Sequence, residues 1–341
     1  MNNSRTSVLS DQFAGFFPAP VEAPVGERDD VSLPIPPDTI RAILGCEPGD
    51  YPQGCLESIQ EVDSRYQKLS QVEWNAHLLH VLRRIHEELS PRKISDNLSV
   101  FEQGWNENYE LCLGQGLSSA SLRPRYVKPF HVVRLCGEYI HPHDPYFSDR
   151  MLSLAIQCWS AKYLTDVDQV YEFGCGTGRY LFQLAGLFPG KRFVGLDWTR
   201  ASQRIINLMT LAGLPIRGQR FNMMKPLTQV RIEEGSGVLT IGAMEQLGDR
   251  YQAFLDFLLS NQPRIVMHFE PIEEFYDQNN IFDYVGWLYH RKRGYLRGYW
   301  TALQSLERQR RITILEARRL GVGDPYHESS SLIIWQPTGL S

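Results

Sequence analysis

From Thr165 onward the apolar residues alternate between short continuous runs and helix-spaced stripes, and that rhythm narrows the possible folds more than any other feature of the chain. Runs at Gln169–Phe173, Arg192–Leu196, Ile216–Phe221, Val238–Ile241 and Arg264–Phe269 read as strands. Helical spacing over Tyr180–Phe188, Ala201–Leu211 and Tyr251–Leu259 falls between them. Strands that alternate with helices build a mostly parallel sheet covered on both faces, because each parallel connection must cross over. A long helical stretch, Asn280 to about Leu306, precedes two further strands, Ile312–Ala317 and Leu332–Trp335. Their link leaves no room for a helix, which predicts an antiparallel pair at the sheet edge. The expected class is α/β, with a seven-stranded, mostly parallel sheet whose last strand is antiparallel.

Upstream the composition differs. Residues 1–39 carry Pro18, Pro20, Pro24, Pro34, Pro36 and Pro37, and read as a flexible proline-rich tail that buries too little apolar surface to order itself. Residues 40–165 read as a helical cap. Leu56, Ile59, Val62, Tyr66 and Leu69, then Trp74, Leu78, Val81 and Ile85, recur at steps of three and four. Further helices fit Val100–Leu113 and Asp149–Tyr163, and the two prolines of Arg123–His131 predict an extended segment between them. Residues 166–341 then form the α/β domain, with a helical insertion at about 272–306.

With 39 acidic and 35 basic residues among 341, the net charge is -4. Such a chain has no global basic field, which argues against nucleic acid as a partner. No apolar run reaches the roughly 20 residues that cross a bilayer, so no membrane partner is expected. The first residues lack a basic start and an apolar block, so a cytoplasmic protein is expected. The six cysteines stand singly, without paired spacing, and His141-Pro-His143-Asp144 lacks a complementary cluster, so no metal is expected.

The chemical signal is Val170-Tyr-Glu-Phe-Gly-Cys-Gly-Thr-Gly-Arg-Tyr-Leu181. A strand runs into Gly174, Gly176 and Gly178, and a helix follows at once. Glycine suits a backbone that must turn tightly and approach a ligand, and the helix start offers free N–H groups. The spacing G-x-G-x-G differs from the dinucleotide fingerprint G-x-G-x-x-G. Glu172, two residues ahead, would repel a pyrophosphate but suits an ammonium. Asp197, at the end of the second strand, lies where an acceptor for ribose hydroxyls belongs. A nicotinamide dehydrogenase is therefore the weaker reading.

Glu172-x-Gly174-x-Gly176-x-Gly178 followed by Asp197 resembles the first two motifs of class I S-adenosylmethionine-dependent methyltransferases, over about Val167–Pro337. The resemblance implies a Rossmann-like sheet, S-adenosyl-L-methionine as cofactor and methyl transfer as the reaction. It implies that Gly174 and Gly176 make room for the methionine part, that Glu172 lies near its amino group, and that Asp197 accepts from both ribose hydroxyls. Trp198 and Met223 would pack around the adenine. Asn222 stands where the family usually has an acid meeting the adenine amino group. Phe101-Glu-Gln-Gly-Trp105, the insertion and the terminal strand are loosely similar to bacterial methyltransferases of surface-polysaccharide pathways, which favours a sugar-like acceptor.

Reactive groups of such sheets lie beyond the carboxyl ends of the strands. That places Glu245, His268, Glu270, His290 and His327 as candidates, with His268 first as general base, His290 second, and Glu245 as a further base or hydroxyl ligand. Arg134 is a candidate for the cofactor carboxylate, and Arg291–Arg297 for an anionic acceptor. The expected function is methylation of a hydroxyl on a small sugar-like or aromatic molecule. Carbon methylation of a lipid or polyketide, and a non-catalytic cofactor-binding protein, are the alternatives. A homodimer is the expected assembly.

Overall fold

The computed structural model describes residues 32–47, 51–52, 54–87, 89, 94–226 and 229–339. The expected tail therefore lies mostly outside the described residues. In chain order, α1 (Pro37–Leu44) and α2 (Leu56–Gln60) lead to β1 (Tyr66–Lys68), α3 (Gln71–Glu87), α4 (Ile94–Gln115) and the short α5 (Ser119–Leu122). Then come β2 (Val133–Leu135), β3 (Glu138–Pro142) and α6 (Phe147–Tyr163). The second half runs β4 (Gln169–Phe173), α7 (Arg179–Leu187), β5 (Arg192–Asp197), α8 (Arg200–Leu211), β6 (Ile216–Arg220) and β7 (Gly237–Ile241). After a 3-10 turn at Met244–Leu247 follow α9 (Gln252–Asn261), β8 (Ile265–Glu270), α10 (Ile281–Arg293), α11 (Tyr299–Arg308), β9 (Ile312–Arg319), β10 (Val322–Gly323) and β11 (Ser331–Pro337).

Seven strands form one sheet in the order β6-β5-β4-β7-β8-β11-β9. The pairs from β6 to β8 are parallel, and β11 is antiparallel to both β8 and β9. This is the Rossmann-like sheet expected from the strand rhythm, and its order reverses beside β4, where the chain turns from β4–β5 to β7. Alternation along β4 sorts its side chains: Val170 packs into the core beneath α6, α7 and α8, whereas Tyr171 and Phe173 join the core beneath α9 and α11. Phe173, Phe221, Phe254 and Phe257 meet mostly edge to face in that second layer.

The cap is not helical throughout. β1, β3, β2 and β10 form a second, antiparallel sheet. Tyr66, which helical spacing assigns to a helix, instead pairs with Pro142 and also bridges to Leu33. Its partners lie far along the chain, so local periodicity carries no trace of the pairing. The turn between β9 and β11 supplies β10 to this sheet, pairing Val322 with Leu135. Because Ser331 pairs with Glu270, that turn stands at the carboxyl end of β8, among the loops that surround the crevice.

Candidate active site

Gly174, Gly176 and Gly178 have φ of 73°, 54° and 70°. A Cβ on Gly174 would fall 2.4 Å from the Ala243 Cβ, and one on Gly178 2.4 Å from the Ile206 Cδ1. Conformation and space thus both demand glycine. The amides of Gly174 and Cys175 donate to the Leu196 carbonyl at 2.7 and 3.1 Å, which fixes the bend against β5.

All seven residues that the sequence assigns to the cofactor (Glu172, Gly174, Gly176, Asp197, Trp198, Asn222 and Met223) line one cavity beyond the carboxyl ends of β4, β5 and β6. Glu172 is buried, and its Oε2 has no hydrogen-bond partner among the described residues. Burial, reinforced by the nearby Asp197 charge, pushes its carboxyl up to about 8. Asp197 Oδ1 accepts from the Thr199 amide and hydroxyl at 2.8 and 2.7 Å, and Oδ2 from the Gly176 amide at 3.0 Å. Oδ1 thus already accepts two hydrogen bonds from the protein, and Oδ2, with one, keeps an acceptor position. Asn222 Oδ1 already accepts from the Met224 amide at 2.9 Å.

A second cavity adjoins the first, and Phe101, Tyr126, Arg179, Tyr180, Ile241 and Gly242 line both. Helix α4 supplies Phe101 and Trp105, stacked at 5.6 Å, and Trp105 also closes on Tyr126. Sequence reasoning missed Tyr126 and Arg179 as wall residues. Arg179 directly follows the glycine turn, and that position was the available signal. Its guanidinium pairs with Asp149 at 2.8 Å.

Of the acid–base candidates, Glu245 and His327 line the second cavity, together with Asp324. Asp324 accepts from the amides of Tyr326 and His327 at 2.7 and 3.0 Å and lies 3.5 Å from His327 Nε2. Burial raises its carboxyl to about 6. Glu270 stands behind this wall, accepting from the amides of Ala243 and Glu245 at 3.0 and 3.2 Å, and so shapes the turn after β7. Burial raises it to about 7.

His268 and His290 are corrected by their surroundings. His268 is fully buried and lines neither cavity. The Trp335 indole N–H donates to its Nε2 at 3.0 Å, so the ring proton sits on Nδ1 and donates to the Thr240 hydroxyl at 2.8 Å. Tyr299 also meets Nε2 at 2.7 Å, and burial lowers the ring to about 3. Both nitrogens are committed to holding the sheet to α11, so His268 cannot reach an acceptor. His290 lies one residue behind the cavity, its Nε2 3.0 Å from His327 Nδ1. Arg134 is buried away from both cavities, donating to the Phe282 carbonyl at 2.8 Å and lying 3.9 Å over the Phe282 ring. Two of the four cations of the basic run are held in ion pairs, Arg291 with Glu273 and Arg297 with Asp249.

The strand order and the glycine bend define a Rossmann-like α/β protein. Three solved structures to which the chain is similar are methyltransferases. The N-methyltransferase NodS from Bradyrhizobium japonicum, with S-adenosyl-L-homocysteine, is 14% identical with a TM-score of 0.41, covering 58% of this chain and 90% of that one. The O-methyltransferase of a trans-AT PKS multienzyme of Brevibacillus brevis, also with S-adenosyl-L-homocysteine, is 13% identical, covers 56% and 73%, and has a TM-score of 0.41. The O-methyltransferase NcsB1 from neocarzinostatin biosynthesis, with S-adenosylmethionine and 2-hydroxy-5-methyl naphthoic acid, is 14% identical, covers 57% and 59%, and has a TM-score of 0.38. None is near enough in sequence or superposition to carry a function across. No protein-family model matches the chain, and no curated protein matches it in sequence.

Proposed function

We propose that the protein is an S-adenosylmethionine-dependent methyltransferase acting on a hydroxyl of a small aromatic or sugar-like molecule. The observation that carries this reading is the unpartnered, buried Glu172 oxygen beside a glycine bend whose conformation and packing exclude side chains. A buried carboxylate without a partner is costly, and an ammonium group satisfies it. Asp197 Oδ2 supports a ribose hydroxyl, Trp198 offers a flat face to the adenine, and Asn222 its remaining amide groups. When bound, the cofactor supplies an electrophilic methyl group on a sulfonium centre.

The chain's own residues must align the acceptor, keep water out and take up one proton. Phe101, Tyr126, Tyr180, Tyr289 and Tyr295 give the second cavity aromatic walls suited to the first two tasks. The Asp324–His327 pair takes the proton, with His290 behind it, and Glu245 orients the acceptor hydroxyl. An Asp324 carboxyl near 6 is ionised at neutral pH and still basic enough to accept. The reading includes a cytoplasmic dimer with no nucleic-acid or membrane partner; among the described residues no helix is long and apolar enough to cross a membrane.

Calorimetry with S-adenosylhomocysteine tests the first half: the wild type binds and Asp197→Ala does not. Isotopically labelled cofactor with a panel of hydroxylated aromatics and sugars tests the second. Asp324→Asn should retain cofactor binding and lose about 100-fold in turnover, and wild-type turnover should rise as pH passes about 6. Failure to bind S-adenosylhomocysteine, or stabilisation by NAD instead, would overturn the reading. Label found on carbon would favour the alternative chemistry.

A further inference from the structure

A third cavity, of about 720 Å³, lies beyond the acceptor cavity and shares Asp149 and Arg179 with it. Its frame is one face of α6 (Arg150, Ser153, Gln157) and one face of α7 (Arg179, Gln183, Leu187), with α2 alongside. These spacings of three and four put the residues of each helix in a single row. Helix faces turned inward normally carry apolar residues, yet Ser153 and Gln157 are only 7% and 6% exposed. The Ser153 hydroxyl donates to Gln183 Oε1 at 2.7 Å across the two helices, which leaves the Gln183 amide N–H groups uncommitted. Among the described residues the Gln157 amide has no hydrogen-bond partner at all.

Four of the five charges that line this cleft are already matched, and the fifth, the exposed Glu61, has no ion pair among the described residues and adds a further carboxylate against an anion. Asp149 pairs with Arg179 at 2.8 Å and approaches Arg123 at 3.8 Å, while Arg150 pairs with Asp144 at 2.6 Å. An anion would have to compete with these carboxylates. An apolar ligand would seal the Gln157 amide away without a partner, which is unfavourable. Uncharged donors and acceptors on both helices instead suit a ligand that offers many of each.

We propose that this cleft is an outer subsite for a neutral, polyhydroxylated group, with Gln157 and Gln183 as its hydrogen-bonding residues. That the group belongs to the methyl acceptor, reaching outward past the Asp149–Arg179 pair, rests on the methyltransferase reading; occupancy of the cleft does not.

Saturation-transfer NMR on the full chain tests it, with methyl β-D-glucopyranoside, methyl β-D-galactopyranoside and methyl α-L-rhamnopyranoside as probes. At least one should receive saturation at its ring protons in the wild type, and Gln157→Leu should weaken its binding by about fivefold, the loss of one hydrogen bond. Thermal melting checks that the variant is folded; if it is not, Gln183→Leu, at a half-buried position, takes its place. Absence of transfer from all three sugars, or undiminished transfer in a folded variant, overturns the proposal. S-adenosylhomocysteine binding in the same samples is read separately, so a failure there sinks the methyltransferase reading and leaves the cleft result standing.

Discussion

At the scale of single residues, Glu172 stands out. Its position on β4 alternates with Tyr171 and Phe173, so it points into the layer where Val170 packs and where an apolar side chain would cost nothing. With an ordinary carboxyl near 4.5 in the unfolded chain and about 8 in the fold, the native state holds the extra proton between those values. Stability of the ligand-free protein therefore falls as pH rises through that window and levels off above it. Urea unfolding at pH 6 and pH 8.5 should show the wild type losing about 2 kcal/mol relative to Glu172→Gln. Binding of a ligand ammonium works in the opposite sense, because it needs the ionised form. Between pH 6.5 and 7.5 the affinity for S-adenosylhomocysteine should rise about tenfold in the wild type and stay flat in Glu172→Gln. Equal slopes in the two proteins would remove Glu172 from the ligand.

At the scale of elements, the cap is fastened to the sheet through helix ends. Glu102 on α4 accepts from the amides of Arg200 and Ala201, at 2.7 and 2.8 Å, and so caps α8 from outside the helix. A carboxylate at a helix start satisfies free N–H groups and meets the positive end of the dipole. Arg204 adds a bond to Asn106 and stacks 3.7 Å over Tyr109, so the two helices are joined along their length. Because α4 also carries Phe101 and Trp105 over the cavities, this joint bears on the site. Glu102→Ala should cost about 1–2 kcal/mol of stability by denaturant titration and weaken S-adenosylhomocysteine binding several-fold. A loss of stability with unchanged affinity would confine the joint to folding.

At the scale of the whole molecule, a buried ion cluster holds the acceptor side together. Arg319, at the end of β9, pairs with Asp283 at the start of α10 and with Glu328 in the turn before β11. Both carboxylates are nearly buried, at 7% and 3% exposure. Arg319→Met would leave two uncompensated charges inside and should destabilise the protein by about 3–5 kcal/mol near neutrality. Denaturant titration measures the deficit, and Arg319→Lys, which keeps the charge, should recover part of it. A deficit as large in Arg319→Lys as in Arg319→Met would mean that lost packing, and not charge, is responsible.

The sequence by itself determined the sheet and the glycine-lined crevice, because both are written in local patterns. Strand and helix periods are set by neighbours within a few residues, and Glu172, the three glycines and Asp197 each sit at a defined step from a strand end. It did not determine which histidine lines a cavity. A strand-end position puts His268 ahead of His327, which lies in the turn between the last two strands, yet the packing of Trp335, Tyr299 and Thr240 closes the first ring off while the second lines the cavity. The small antiparallel sheet, the Arg319 cluster and Gln157, unpaired among the described residues, belong to the same category. Each depends on residues tens to hundreds of positions apart, and contact at that separation is decided by the tertiary fold, where side-chain burial and pairing are fixed together.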